Sequence, residues 1–295
     1  MFFQAIVLGL LQGLTEFLPV SSSGHLQGVP YLLGWPSGSL TFDVMVHAGT
    51  LIAVLVYFRG DLAFLLTRAT GLGGDYVPAE RQQAWKVIGL LALGSIPAAL
   101  AGLLFEDVFE AAFGSIRAVS AFLLVTAALL WFGEHLRMRR AAAELGKTVG
   151  DLQSHERHRD PGRREDTTTM KDAALIGVAQ ALAIFPGISR SGATIAAGMT
   201  LGLSRAAAAR FSFLLSIPVI IGATVFKLPD LGTVEPGTLP FTPLQIAGGV
   251  LTAAISGYLA ITFLLKLVQR QNLLGFARYV VAFSIVLFAA TFWIG

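Results

Sequence analysis

The sequence predicts an all-α polytopic membrane protein. It is arranged as an inverted-topology repeat, each half a re-entrant helical hairpin plus three transmembrane helices. Three observations predict it. Of 295 residues, 55% are hydrophobic and 13% charged, with a mean hydropathy of +0.71; a soluble domain carries about 25% charged residues. Several apolar runs approach the roughly 20 residues a helix needs to cross a hydrocarbon core. Finally, the stretch from Gly9 to Gly34 is written again, without a gap, from Gly177 to Gly202. Gly9 meets Gly177, Gln12 meets Gln180, Phe17 meets Phe185, Ser21 meets Ser189, Ser23 meets Ser191, Gly24 meets Gly192 and Gly34 meets Gly202.

The first half, residues 1–136, opens with a hairpin over 1–35. An apolar arm breaks at Pro19 into a Ser/Gly-rich turn, followed by a second short arm from Leu26 to Leu33. Three spans follow: Phe42 to Phe58, Trp85 to Phe105 and Ile116 to Leu136. Residues 137–171 form the one hydrophilic segment and read as a flexible cytoplasmic linker, poor in apolar side chains. His155 and His158 within it belong to a solvated charge run rather than a metal site. The second half, 172–295, repeats the plan. Its hairpin covers 172–206, breaking at Pro186 with a second arm from Ala193 to Leu203, and its spans are Arg210 to Phe226, Leu244 to Leu267 and Phe276 to Trp293. An odd number of crossings separates the hairpins, so they enter from opposite faces and can meet near the midplane. Duplicated broken segments of this kind point to a site at the repeat interface, since irregular backbone at membrane depth has to be buried in protein or line a wet cavity.

Charge sets the orientation. Arg59, Arg68, Arg81, Lys86, the basic residues of 137–171, Arg205, Arg210, Lys266, Arg270 and Arg278 collect on one face. The opposite face holds Arg117 and Lys227 with Glu106, Asp107, Glu110, Asp230 and Glu235. Lys and Arg favour the cytoplasmic side, which places the first hairpin and both termini outside. The net charge of +3 is explained by these juxtamembrane residues, so nucleic acid is not an expected partner. The chain has no cysteine, which excludes disulfides and thiolate metal ligands.

An ionisable residue inside a membrane segment is a functional candidate by default. Glu16, His25 and Arg190 qualify, with Asp43 and His47 on the first span. His47, without a partner motif, reads as a packed or hydrogen-bonded residue. Glu16 and Arg190 can simply pair with each other, but their company suits a phosphate. Ser21, Ser22, Ser23 and His25 follow Glu16, while Ser189, Ser191 and Thr194 surround Arg190. Backbone donors at broken helices and these hydroxyls can cradle phosphoryl oxygens, and Arg190 can bind them bidentately. A carboxylate would repel a phosphate unless a divalent cation lay between them, so Glu16 implies Mg²⁺ or Ca²⁺. His25 can carry a proton or attack directly, and Ser22 or a neighbouring hydroxyl can be the nucleophile with His25 as its base. Spacing alone leaves these roles open.

The two segments Gln12-Gly-Leu-Thr-Glu-Phe-Leu-Pro-Val-Ser-Ser-Ser-Gly-His25 and Pro186-Gly-Ile-Ser-Arg-Ser-Gly-Ala-Thr194 resemble the signature motifs of the undecaprenyl-diphosphate phosphatase (bacitracin-resistance) family. The likeness runs along almost the whole chain, including Phe42-Asp-Val and Phe211-Ser-Phe-Leu-Leu-Ser-Ile-Pro218. It implies a multi-pass enzyme of the bacterial cytoplasmic membrane, with a site open to the extracytoplasmic side. Such an enzyme converts the C55 polyprenyl diphosphate to the monophosphate carrier of cell-wall synthesis and requires a divalent cation. Carried over, Glu16 is the metal-linked carboxylate, and Ser22 and His25 are nucleophile and proton-transfer partner in one order or the other. Arg190, Ser189 and Thr194 hold the diphosphate, with Gln12, Ser21, Ser23 and Ser191 as further substrate contacts. The resemblance also admits a homodimer. Many members carry a second glutamate where this chain has Gln12, although the pattern is commonly written to allow either; if two carboxylates are required, Asp43 is the available substitute. Two other readings compete. A polyprenyl-phosphate flippase or secondary transporter would use the same repeat architecture. A PAP2-type phosphatase would use a Ser-Gly-His element such as Ser23-Gly-His25, but its Lys/Arg-Pro motif and later His with an acidic partner have no match here.

Overall fold

The computed structural model describes residues 1–35, 40–72, 77–105, 112, 114–144, 146, 160, 162–232 and 241–294. The first hairpin is α1 (Phe2–Phe17) and α2 (Ser22–Leu33). Then come α3 (Leu40–Tyr57), α4 (Arg59–Thr70), α5 (Pro78–Leu104) and α6 (Ile116–Glu144). After a 3₁₀ turn at Glu165–Thr167, the second hairpin is α7 (Met170–Leu182) and α8 (Arg190–Thr200), followed by α9 (Arg205–Gly232), α10 (Pro243–Leu267) and α11 (Leu274–Ala290). Among the described residues there is no strand beyond an isolated bridge between Arg163 and Leu203.

Local chemistry explains the boundaries. Thr169 and Asp172 form a capping box at the start of α7, as Thr242 and Gln245 do for α10, where Pro243 occupies the first turn. Left-handed Gly34 and Gly71 close α2 and α4. Among the described residues four helices are long and apolar enough to cross a membrane: Pro78–Leu104, Ile116–Ala143, Arg205–Val225 and Pro243–Leu267. The expected first span is α3, which continues into α4 after a bend of 71°. Sequence reading missed α4, because Arg59, Asp61 and Arg68 interrupt the apolar pattern. Those charges bond outward: Arg68 pairs with Glu80 at 2.8 Å and Asp61 with Arg210 at 2.7 Å. The last expected span is α11, a shorter apolar helix of 17 residues.

The hairpin arms are held by close helix crossings through small residues, the usual solution where lipid offers no hydrophobic drive between helices. On α1, a Cβ at Gly9 would meet the Gly249 carbonyl of α10, and one at Gly13 would meet Ser256 and the Ala253 carbonyl. On α7, a Cβ at Gly177 would stand 2.5 Å from the Gly94 carbonyl oxygen of α5. So the outer arm of each hairpin packs, glycine against glycine, on a long helix of the other half. Ser256 Oγ adds a bond to the Leu10 carbonyl, and Gln180 Nε2 one to the Gly94 carbonyl, each 3.3 Å. Phe17 and Phe213 meet edge to face at 5.4 Å inside the shared core.

The hydrophilic segment is more structured at its ends than expected. Residues 137–144 continue α6. Residues 145, 147–159 and 161, with His155 and His158, lie outside the described residues, as do Glu106, Asp107, Glu110 and Glu235. The far end is a strap rather than a free linker. The Asp160 carboxylate accepts the Arg205 and Ala206 backbone N–H groups at the start of α9, both at 2.9 Å. Arg163 exchanges backbone bonds with Gly202 and Ser204, and its guanidinium reaches Asp172 at 2.8 Å. These bonds pair backbone groups exposed by the turn between α8 and α9, which is why a charged, apolar-poor segment stays in place there.

Substituting leucine at Gly9 or Gly177 should destabilise the fold by about 1–3 kcal/mol through overpacking, read as a lower thermal midpoint in detergent. Gly89→Leu, where the added side chain meets open space, should leave the midpoint nearly unchanged.

Candidate active site

Each hairpin turn is a helix end followed by a helix start. Leu18, in extended conformation, ends α1, and Pro19 cannot continue it. Ser21 then caps α2 by accepting from the Gly24 N–H at 3.2 Å, and Ser189 caps α8 by accepting from the Gly192 N–H at 3.0 Å. Ser22 and Arg190 are therefore the first residues of their helices, matched positions in the two copies. The turns also bond each other. The Gly187 N–H donates to Ser23 Oγ at 3.2 Å, and Ser191 Oγ donates to the Leu18 carbonyl at 3.1 Å. Thr126 of α6 clamps the second turn, donating to the Gly187 carbonyl at 2.9 Å and accepting from the Ser189 N–H at 2.8 Å.

This clasp brings two helix N-termini, each an electropositive anion-binding end, beside a buried ion pair. Arg190 Nη2 lies 2.7 Å from Glu16 Oε1, with side-chain exposures of 14% and 7%. Arg190 Nη1 also donates to the Ser212 carbonyl at 3.2 Å. Glu16 Oε2 accepts from Ser22 Oγ at 2.6 Å and from Gln12 Nε2 at 3.1 Å. His47 Nε2 stands 3.7 Å from the same oxygen, while its Nδ1 bonds the Asp43 carbonyl at 2.6 Å. The centre is one carboxylate, one guanidinium, one hydroxyl, one amide and one imidazole.

The structure sorts the candidates of the sequence reading. Glu16, Arg190, Ser22 and Gln12 converge. Ser21 and Ser189 cap helices, and Ser23 and Ser191 join the two turns. Thr194 Oγ1 bonds Ser212 Oγ at 2.6 Å and the Arg190 carbonyl at 2.8 Å, so it supports the arginine's backbone. His25 sits apart from Ser22. Its Nδ1 is 2.7 Å from the Ser21 carbonyl and its Nε2 is 2.7 Å from Tyr279 Oη of α11. The Ser22 hydroxyl meets Glu16 instead. Sequence reading took His47 for a packed residue and missed it as a member of the centre; the signal was an ionisable side chain on the apolar α3. It also missed Thr126, a polar residue in mid-span, and Tyr279.

The first turn holds the one non-glycine residue with positive φ among the described residues, Ser21 at φ 73° and ψ 102°. Such a conformation costs of order 1–3 kcal/mol. In the second turn the positive φ falls on Gly187, at 99°. The residue matched to Gly187 is Pro19, whose ring forbids positive φ. The left-handed step therefore moves along to Ser21.

A divalent cation would find one carboxylate here. Among the described residues no group of three or more His, Cys, Asp or Glu side chains can hold a metal by itself, so Asp43 does not complete such a set. Gln12 Oε1, however, is buried without a hydrogen-bond partner, and it belongs to the side chain beside Glu16. A carboxylate oxygen and an amide oxygen fit a hard cation whose remaining ligands are substrate phosphate oxygens and water, the usual pattern for Mg²⁺.

Fold and site together define a class: polytopic helical membrane proteins in which two facing hairpins bring an acid, an arginine and a serine together. Residues 5–286 match the family model of the bacitracin resistance protein BacA, and the chain belongs to that family. A protein of Geobacter sulfurreducens is 43% identical over 277 residues, covering 93% of each chain. One of Geobacter metallireducens is 44% identical over 278 residues, again 93% of each. One of Moorella thermoacetica is 40% identical over 291 residues, 99% of this chain and 98% of its own. All three are named undecaprenyl-diphosphatase.

Removing one partner of a buried ion pair costs about 3–5 kcal/mol, because the other charge is stranded. Arg190→Ala should therefore lower the thermal midpoint in detergent. The double variant Glu16→Ala/Arg190→Ala should lose clearly less than the two single losses combined.

Proposed function

We propose that the chain hydrolyses undecaprenyl diphosphate to undecaprenyl phosphate and inorganic phosphate within a membrane. The observation that carries this reading is the Arg190–Glu16–Ser22 cluster, assembled from two hairpins at two helix N-termini, in a chain whose relatives bear the undecaprenyl-diphosphatase name. A flippase or secondary transporter would share the architecture. It has no need of a hydroxyl bonded to a carboxylate next to a guanidinium, and the relatives' name is that of a hydrolase.

In the proposed mechanism Arg190 leaves Glu16 in part and binds the terminal phosphoryl group, neutralising charge as it develops. The N–H groups at the starts of α2 and α8 orient the remaining oxygens. Glu16 accepts the Ser22 proton as Ser22 Oγ bonds to the terminal phosphorus. The anhydride bond breaks, and the polyprenyl monophosphate leaves with its electron pair. Water then attacks the phosphorus of the phosphoserine, the Ser22 Oγ–phosphorus bond breaks, and Glu16 returns its proton to Ser22 Oγ as dihydrogen phosphate leaves. His47 is placed to stabilise the ionised Glu16. Mg²⁺ or Ca²⁺, held by Glu16 and Gln12 Oε1, would supply charge neutralisation between carboxylate and diphosphate. Gln12 in place of a second glutamate removes one negative charge from that position, so metal binding leans more on the substrate.

The membrane-spanning helices place the protein in a bilayer. Residence in a bacterial cytoplasmic membrane with the site opening outward is what the family resemblance implies, and the Lys/Arg distribution in the sequence supports that orientation. The glycine crossings of α1 on α10 and α7 on α5 support the division into 1–136 and 172–295 as inverted halves.

Purified protein in detergent should release phosphate from undecaprenyl diphosphate. EDTA should stop the release, and excess Mg²⁺ or Ca²⁺ should restore it; an unchanged rate in EDTA would remove the cation. Ser22→Ala should lower turnover at least about a hundredfold, the scale lost with one acid–base or charge-stabilising group. Near-normal turnover would move the attack to another group.

A further inference from the structure

We propose that Tyr279 is a positioning residue that acts through His25 to hold Ser21 in its left-handed conformation, and so aims Ser22 at Glu16. The inference rests on the Ser22 reading above.

The chain of contacts is continuous. Ser21 at φ 73° is disfavoured for a residue with a Cβ, so something has to hold it. Its carbonyl can only accept a hydrogen bond, so the His25 Nδ1 facing it at 2.7 Å carries the proton. In the neutral ring Nε2 is then a lone pair, and the Tyr279 hydroxyl at 2.7 Å donates to it. Phe283 stacks on the imidazole at 4.3 Å and 12°, fixing the ring plane. His25 is 2% exposed, with both nitrogens engaged away from Glu16. The next residue along the backbone from Ser21 is Ser22, whose hydroxyl lies 2.6 Å from Glu16.

The second hairpin supplies an internal control. There the positive φ belongs to Gly187, Ser189 has an ordinary φ of −70°, and the position matched to His25 is Ala193. Where glycine takes the left-handed step, no imidazole clamp is present. Where serine takes it, His25 and Tyr279 are.

The test is a cycle of Tyr279→Phe, Ser21→Gly and the double variant, with kcat and KM for undecaprenyl diphosphate. Glycine adopts positive φ without strain, so it removes the need for the clamp. Tyr279→Phe should lower kcat about tenfold, the scale of one buried hydrogen bond, with KM changed by less than about twofold. In the Ser21→Gly background the same substitution should lower kcat by less than about twofold. An equal loss in both backgrounds, no loss in either, or a change confined to KM would overturn the proposal. Side-chain ¹⁵N shifts of His25, assigned with a His25→Asn variant, give a readout independent of turnover. The neutral Nδ1–H tautomer is expected in the wild type, and an imidazolium or Nε2–H tautomer would overturn the proposal. An inactive wild type would refute the phosphatase reading alone, because the tautomer measurement decides the clamp separately.

Discussion

The structure depends on a charge pair that neither hairpin can satisfy alone. Glu16 lies at the end of α1 and Arg190 at the start of α8, 174 residues apart in sequence and 2.7 Å apart in space. Either charge in isolation would be costly at this depth, so each hairpin is completed only by the other. The reciprocal bonds between turns and the Thr126 clamp hold that meeting in register. The glycine crossings matter for the same reason. They fix the outer arms α1 and α7 on the long helices α10 and α5, so the turns arrive opposite each other.

An ion pair of this kind is a weak source of stability, because desolvating two charges offsets most of their attraction. A pair that adds so little stability fits a chemical role better than a structural one. In the ground state Arg190 and Glu16 occupy each other. In the proposed mechanism an anionic headgroup competes for Arg190, and the carboxylate it leaves is already bonded to the Ser22 hydroxyl. That mechanism couples substrate binding to activation of the attacking group through one side chain.

Much of this was legible in the sequence. The gapless duplication located both hairpins, the proline breaks located both turns, and membrane-embedded charge singled out Glu16 and Arg190. What stayed hidden depends on direction. Sequence shows that Ser21, Ser22 and Ser23 are adjacent, but a helix start sends them three ways: one to cap, one to Glu16, one to the facing turn. The same geometry separates His25 from Ser22 despite their spacing, since the side chain three residues into α2 turns towards α11. His47 was undervalued because its partner lies on another helix, and α4 was unseen because its charges mask a helix that bends away from α3. The order at the end of the hydrophilic segment was hidden too, because Asp160 and Arg163 are anchored by backbone groups that composition does not reveal.

The central claim is that one diphosphate headgroup engages both hairpins at once. The direct measurement is an experimental structure with Mg²⁺ and a methylene-bridged, non-hydrolysable polyprenyl diphosphate. The terminal phosphoryl group should lie in hydrogen-bonding contact with the Arg190 guanidinium, with Ser22 Oγ facing its phosphorus in line with the bridging carbon. A headgroup seated on one hairpin only, with Arg190 still closed on Glu16, would contradict it.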